Sequence, residues 1–329
     1  MPPILMNRRT AAGLLFAAAF APASPALAAV APIPVVLDTD IGDDIDDALA
    51  LSLAIQSPEL KVLAVTTVLQ EGDLRAALVW KILKLYGRTD IPVGVGAEQT
   101  LLGKPRTQTV VQTAALGPAD KLPPGKRHIG IELFIDTCLH HPGKVTVIAI
   151  GPLTNIAIAL RAEPRIKDHI DRIMLMNGVF FHTGVEYNTS TDSEASEIVY
   201  SCGLPITAVG LDVTMQCRLN ADQMKRIESS SLPTAKFLLD LIRLWQRGNP
   251  TQYPILHDPL AVGVTVKPSL VSLATGDVTV ETRGTPGETN GASIFRKNPS
   301  GNVRVAEDVN SAAVIDLFLD RILAAPRGE

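Results

Sequence analysis

The feature that most constrains this chain is a series of short, Val/Ile-rich apolar runs separated by stretches of helical periodicity. Val35-Val36-Leu37, Val62 to Val68, Val145 to Ile150, Ile173 to Met176 and Ile206 to Val209 carry almost no polar interruption. Runs of that length and β-branched content read as strands buried on both faces. Between them, Asp46 to Gln56, Leu74 to Tyr86, Ile131 to His140, Thr154 to Arg161 and Ser193 to Cys202 read as helices, and Val309 to Leu323 returns to the same spacing near the end. Strand alternating with helix predicts a Rossmann-like α/β fold: an open, mostly parallel sheet with helices on both faces, in a single domain. Two segments rich in Gly, Pro and polar residues, Leu101 to Arg127 and Gly284 to Gly301, read as long surface loops.

The first residues stand apart from that pattern. Asn7-Arg8-Arg9-Thr10 is positively charged, Ala11 to Phe20 is apolar, and Ala26-Leu27-Ala28 has the small-x-small form of a signal-peptidase site. Pro22 and Pro25 stop the run short of the ~20 residues a membrane span requires. The expectation is a cleaved signal peptide over residues 1–28, a mature domain over 29–329, and a periplasmic or secreted location without stable membrane insertion. Arg8-Arg9 leaves the twin-arginine route open. Three cysteines, Cys138, Cys202 and Cys217, give neither a disulfide framework nor metal-binding spacing, and buried free thiols are expected, with a Cys202–Cys217 pair in an oxidising compartment as the alternative.

Composition narrows the partners. With 30 basic against 34 acidic residues and only 4% aromatics, nothing is set up to follow a nucleic-acid backbone or to stack its bases. Polar residues follow several strand runs instead: Asp38 and Asp40, Gln70-Glu71, Asn177, Asp212. In open α/β sheets a ligand site lies beyond the carboxyl ends of the strands.

The densest of these clusters is Asp38-Thr39-Asp40-Ile41-Gly42-Asp43-Asp44-Ile45-Asp46-Asp47, six carboxylates in ten residues. Helix capping accounts for one or two of them. The remainder repel one another at a buried strand end unless protons or a cation intervene. Oxygen-only donors suit Ca²⁺ or Mg²⁺ rather than zinc. Gly42 falls in the wrong register for an EF-hand, and no Glu closes a twelve-residue loop. A strand ending in D-x-D also resembles the dehalogenase-type phosphotransferases, with Asp38 as nucleophile, but these carry Thr or Val where this chain has Gly42.

The string VVLDTDIGDDIDDALAL resembles the amino-terminal signature of the inosine–uridine-preferring nucleoside hydrolases, and further segments follow in family order. They are Ile91-Pro92-Val93, the run Ala149 to Asn155 (AIGPLTN), Glu186-Tyr187-Asn188 with Asp192, Gly210 to Thr214 (GLDVT), and His257 to Ala261 (HDPLA). The resemblance implies hydrolysis of the N-glycosidic bond of a ribonucleoside with a held Ca²⁺. By position it implies Asp40, Asp47, Asp258 and the Ile150 main-chain oxygen as metal ligands, with Asp40 also the base toward water. Asp46, Glu186, Asn188 and Asp258 would hold ribose, and His257 would protonate the leaving base unless it is a structural histidine beside the Asp-Pro turn. Asp38 would order the loop. Homo-oligomers are common in this family.

The chain departs from the family pattern in several places. Two extra residues separate Gly42 from Asp46-Asp47, so that either Asp44 or Asp46 takes the first place of the pair, with Asp46 preferred because it keeps the helix start intact. Gln70-Glu71 replaces the usual Gly-Asn, and the usual Gly-Asn before Glu186 is missing, although Asn177 and His182 stand nearby. These departures fall mainly on base recognition, which keeps a non-catalytic, calcium-dependent binder of ribosyl ligands as an alternative to the hydrolase.

Overall fold

The computed structural model describes Met1, residues 31–103 and residues 110–327. The expected signal peptide lies outside the described residues apart from Met1, and among those residues no helix is long and apolar enough to cross a membrane. From Pro32 onward the chain forms one compact unit.

Its centre is a ten-stranded sheet in the order β4-β3-β2-β1-β5-β6-β7-β10-β8-β9. The strands are β1 (Ile33–Thr39), β2 (Leu60–Thr67), β3 (Val93–Val95), β4 (Arg127–Ile129), β5 (Val145–Ala149), β6 (Ile170–Met176), β7 (Ile206–Val209), β8 (Val271–Val280), β9 (Ser293–Lys297) and β10 (Val303–Val309). The neighbours from β4 through to β10 pair in parallel, whereas β10–β8 and β8–β9 are antiparallel. The strand order reverses between β1 and β5, which is where a sheet of this kind opens a crevice at its carboxyl edge.

Among the described residues, eleven helices cover the two faces: α1 (Asp46–Gln56), α2 (Gly72–Leu85), α3 (Gly130–His140), α4 (Thr154–Ala162), α5 (Tyr187–Thr191), α6 (Ser193–Tyr200), α7 (Leu211–Thr214), α8 (Ala221–Glu228), α9 (Pro233–Gln246), α10 (His257–Val266) and α11 (Ser311–Ile322). Side-chain alternation along the strands divides the core. Val35, Leu37 and Ile148 pack toward α1, α2, α9, α10 and α11, while Val36, Val147 and Ala149 pack toward α3, α4 and α6. Every residue of α1 is buried. That explains its apolar character all round, with Ser52 returning its hydroxyl to the Ala48 carbonyl at 2.8 Å.

The five expected strands and six expected helices are present, most with ends shifted by one to three residues. The carboxy-terminal third differs from the sequence reading. Gly284 to Gly301 contains β9, and β8 and β10 complete an antiparallel edge. β8 and β10 bury one face only and β9 has no buried residue, so all three lack the continuous apolar run that marks the others. Leu101 to Arg127 is irregular but includes 3₁₀ turns at Val111–Ala115 and Pro124–Lys126.

All three cysteines are free, with Cys138 and Cys217 fully buried. Burial pushes both of those thiols up to about 12. A raised thiol value favours the folded protein below the unfolded value near 9, and that contribution is lost as pH rises from there toward 12. Aromatic-disulfide titration at pH 8 is therefore expected to modify at most Cys202 in the native protein and all three thiols after denaturation.

Candidate active site

β1 delivers Asp38 into the interior. Its Oδ1 accepts from Asn155 Nδ2 at 2.8 Å and from the Thr66 hydroxyl. Burial, opposed by those two hydrogen bonds, raises its pKa to about 7. Asn155 also donates to the Thr67 carbonyl at 3.0 Å and accepts from the Ala97 N–H at 2.8 Å, so it ties together β1, the end of β2 and the turn after β3. Asp38 orders this corner and does not line the cavity, which removes the phosphotransferase reading that needs it as a nucleophile.

Past β1 the chain crosses Gly42 at φ +125°, a conformation that favours glycine, with Val110 packed where a Cβ would stand. It then enters α1 at Asp46-Asp47. The Thr39 hydroxyl donates to Asp47 Oδ1. α10 meets α1 at the same point, and Asp258 N–H reaches Asp46 Oδ2 at 3.4 Å. One carboxylate oxygen each from Asp46, Asp47 and Asp258 lies within 4.8 Å of the other two, and all three residues are buried. Two helix amino termini therefore converge on three carboxylates, a placement their dipoles favour. Burial is the main cause that drives all three pKa values well above normal, and mutual repulsion adds to it. Three buried, oxygen-only donors within reach of one point fit a hard divalent cation.

The expected site residues come together around one cavity of about 660 Å³, lined by Asp40, Asp46, Asp47, Ile150, Glu186, Asn188, His257 and Asp258 among others. Asp46 stands with Asp47 and Asp258, while Asp44 lines the same cavity outside that trio. Asp40 lines the cavity beside that trio, with its carboxylate against Gly151, where a Cβ would meet Oδ1 at 2.8 Å. Burial raises the Asp40 pKa to about 7, with Arg75 opposing. Asn188 Nδ2 donates to the carbonyls of Ile150 at 3.2 Å and Met176 at 3.1 Å, joining the ends of β5 and β6.

Glu186 is held more tightly than sequence alone indicates. It accepts from the N–H groups of Gly178 (3.2 Å), Asn188 (2.7 Å) and Thr189 (2.8 Å) and from the Thr189 hydroxyl (2.9 Å), so it caps α5 as well as facing the cavity. His257 Nδ1 pairs with Thr214 Oγ1 at 2.7 Å. Burial, then Arg218, lowers its pKa to about 4, which leaves the ring neutral at pH 7. Thr214 thus gives the GLDVT segment one purpose. Asp212 gives it another, by holding the loop after β6 through Phe180 N–H (2.7 Å), Phe181 N–H (3.0 Å) and His182 Nδ1 (2.8 Å). His182 is 75% exposed and does not line the cavity. Gln70 and Glu71 do not line it either. Asn177 is buried, with its Oδ1 accepting from Thr189.

Sequence reasoning missed the outer wall. Val185, Leu211, Trp245, Arg247 and Gln252 line the cavity from the loop after β6, the start of α7, the end of α9 and the segment after it. Trp245, one of two tryptophans in an aromatic-poor chain, was the available signal.

The site is a carboxylate-rich, cation-suited cavity on a mostly parallel α/β sheet whose strand order reverses between β1 and β5. Residues 35–316 match the family described as inosine-uridine preferring nucleoside hydrolase. The probable uridine nucleosidase 2 of Arabidopsis thaliana is 32% identical, with 88% of this chain and 97% of that protein covered. The pyrimidine-specific ribonucleoside hydrolase RihA of Citrobacter koseri is also 32% identical, over 88% of this chain and 98% of that one. Among solved structures, the plant nucleoside hydrolase PpNRh1 superposes with a TM-score of 0.80 at 27% identity, covering 89% of this chain and 99% of that one. The purine-preferring ribonucleoside hydrolase of Gardnerella vaginalis gives 0.76 at 29% identity, covering 88% and 98%. The chain belongs to the inosine-uridine preferring nucleoside hydrolase family, enzymes that hydrolyse ribonucleosides.

The raised carboxylate values fix the sign of a pH effect. Without a cation, protonation relieves the cluster, so this contribution to stability is greatest at low pH and is lost as pH rises through the raised values. A divalent cation binds the deprotonated cluster and replaces the protons. The melting temperature with Ca²⁺ minus that with a strong chelator should therefore be small at pH 5 and grow toward pH 8.

Proposed function

We propose that this protein hydrolyses the N-glycosidic bond of ribonucleosides to free base and ribose, with Ca²⁺ as its cation. The observation that carries this is the meeting of the Asp46-Asp47-Asp258 cluster with Asp40, Asn188, Glu186 and His257 around one cavity. Asp40, Asp47, Asp258 and the Ile150 carbonyl would hold the cation, with Asp46 beside them as a ribose contact; the bound ion would supply charge that neutralises these carboxylates and lowers the pKa of water.

Asp40 is the base. Its carboxylate lines the cavity beside the cluster, where it can take a proton from water. As that water bonds to the anomeric carbon, the C–N bond breaks and its electron pair leaves with the base nitrogen. Positive charge develops on the sugar ring, and the surrounding carboxylates stabilise it. Asn188 and Glu186 position the ribose, their rotamers fixed by hydrogen bonds at the ends of β5 and β6. With the Thr214 hydroxyl donating to Nδ1 of His257, the neutral ring offers its Nε2–H as a hydrogen bond to the departing base nitrogen, and the proton that nitrogen takes up comes from water.

Export belongs to the same proposal. The charged, apolar and small-x-small segments before Ala29 support a periplasmic or secreted enzyme.

The first experiment offers uridine, cytidine, inosine, adenosine and guanosine to purified protein with and without chelator. Uridine heads the panel because the two curated relatives above are named for uridine and pyrimidine nucleosides. Chelator-sensitive base release is expected, and calcium-loaded protein that releases no base from any of the five would sink the proposal. Asp40→Ala should lower kcat by about 10²–10⁴-fold, the usual worth of a positioned base. His257→Ala should lower kcat on nucleosides by at least about tenfold more than on p-nitrophenyl riboside, whose leaving group needs no proton. Equal losses on both substrates would remove His257 as the donor.

A further inference from the structure

Two residues outside the motif set hold the acidic loop from opposite sides. Arg75, in the first turn of α2, is fully buried, and every guanidinium nitrogen is engaged. Nη1 donates to the carbonyls of Asp40 and Ile41, the latter at 3.0 Å. Nε donates to the Gln70 carbonyl at 2.8 Å, and Nη2 donates to the Asp43 carboxylate at 2.8 Å. Gln112 is also fully buried and sits on the 3₁₀ turn that covers the loop. Its Nε2 donates to the Asp44 carbonyl, and its main-chain N–H donates to the Gly42 carbonyl at 3.1 Å. The carbonyls of Asp40, Ile41, Gly42 and Asp44 are thus all tied to groups outside the loop.

This is the segment that carries two more residues than the family pattern. A longer loop has more conformations to lose, and the carboxylates it presents repel one another in a dry site. Each external hydrogen bond removes part of that freedom. A planar fork reaches two carbonyls, a third on another turn and a carboxylate at once, which a single ammonium group does not.

We propose that Arg75 and Gln112 are positioning residues that brace the acidic loop, so that Asp40 faces the cavity and the Asp46-Asp47 pair is presented to the cation. Neither residue lines the cavity. Both act through the main chain of residues 40–44. The proposal rests on the nucleoside-hydrolase reading of the site, and its test separates the two.

Arg75→Lys and Gln112→Leu are compared with the unaltered full-length protein by three measurements. These are hydrogen exchange of residues 40–45 against β5, calorimetric Ca²⁺ binding, and kcat and KM for uridine. Arg75→Lys keeps the charge, so a purely electrostatic role predicts wild-type behaviour. The brace predicts loop exchange faster by about tenfold with β5 unchanged, and Ca²⁺ affinity lower by about 10–100-fold, as for other residues that orient metal ligands. It also predicts a kcat that falls more than KM changes. Gln112→Leu should move each quantity in the same direction by less. Unchanged loop exchange and Ca²⁺ affinity within about twofold in the folded variants would overturn the brace. Should Arg75→Lys fail to fold, Gln112→Leu decides the matter alone. If the unaltered protein releases no base, the functional reading falls, while loop exchange still judges the brace.

Discussion

Everything at the carboxyl edge of this sheet is arranged around carboxylates that repel one another. Asp46, Asp47 and Asp258 present oxygens within 4.8 Å of each other in a buried setting. At an effective dielectric of 20, each fully charged pair at that separation costs roughly 3–4 kcal/mol, so an uncompensated trio would consume most of the stability of an ordinary domain. The fold answers with several devices at once. Two helix amino termini converge on the cluster, the Thr39 hydroxyl supports Asp47, and the donor set is left open to a cation. Asp38, at the end of β1, is held separately through its Oδ1 by Asn155 and Thr66.

That constraint explains where the family segments fall. They look like a list of catalytic residues, yet many of them are supports. Asn155 fastens β1 to β2, Asp192 caps α6 and also binds the Leu101 N–H and the Thr154 hydroxyl, Asp212 holds the loop after β6, and Thr214 orients His257. Fixing a few polar side chains to within hydrogen-bond tolerance takes a larger number of buried polar partners, each of which must be satisfied. Glu186 combines both tasks, since the bonds that make it a helix cap also aim it.

What the sequence discloses follows the same physical line. Strands β1, β2, β5, β6 and β7 are legible because burial on both faces forces continuous apolar runs. β8 and β10 bury one face, and β9 lies at the exposed edge, so their weaker alternation is masked by Gly and Asn at the turns. The carboxylate cluster and the residues around it are legible because they stand at strand ends and helix starts, where residue type is dictated locally. Arg75 and Gln112 are not legible. An arginine on a helix and a glutamine in a loop read as solvated until the packing shows that both are fully buried. The wall formed by Val185, Trp245, Arg247 and Gln252 is hidden for another reason: its members are brought together only by tertiary folding.

The two halves of the cavity therefore rest on different kinds of structure. The half that holds the carboxylate cluster is set on β1, β5, α1 and α10, whose positions are fixed by the core on one face of the sheet or the other. The other half, the wall of Val185, Leu211, Trp245, Arg247 and Gln252, is set on segments outside the sheet. Substitution in the second half alters shape and polarity without disturbing the carboxylate cluster, because none of those residues donates to Asp40, Asp46, Asp47 or Asp258 in the described hydrogen bonds. Relatives named for pyrimidine and for purine nucleosides both share this fold, as that division of labour permits. A change of substrate in such a protein requires new residues on the wall, whereas a change of chemistry would require dismantling the switch point of the sheet itself.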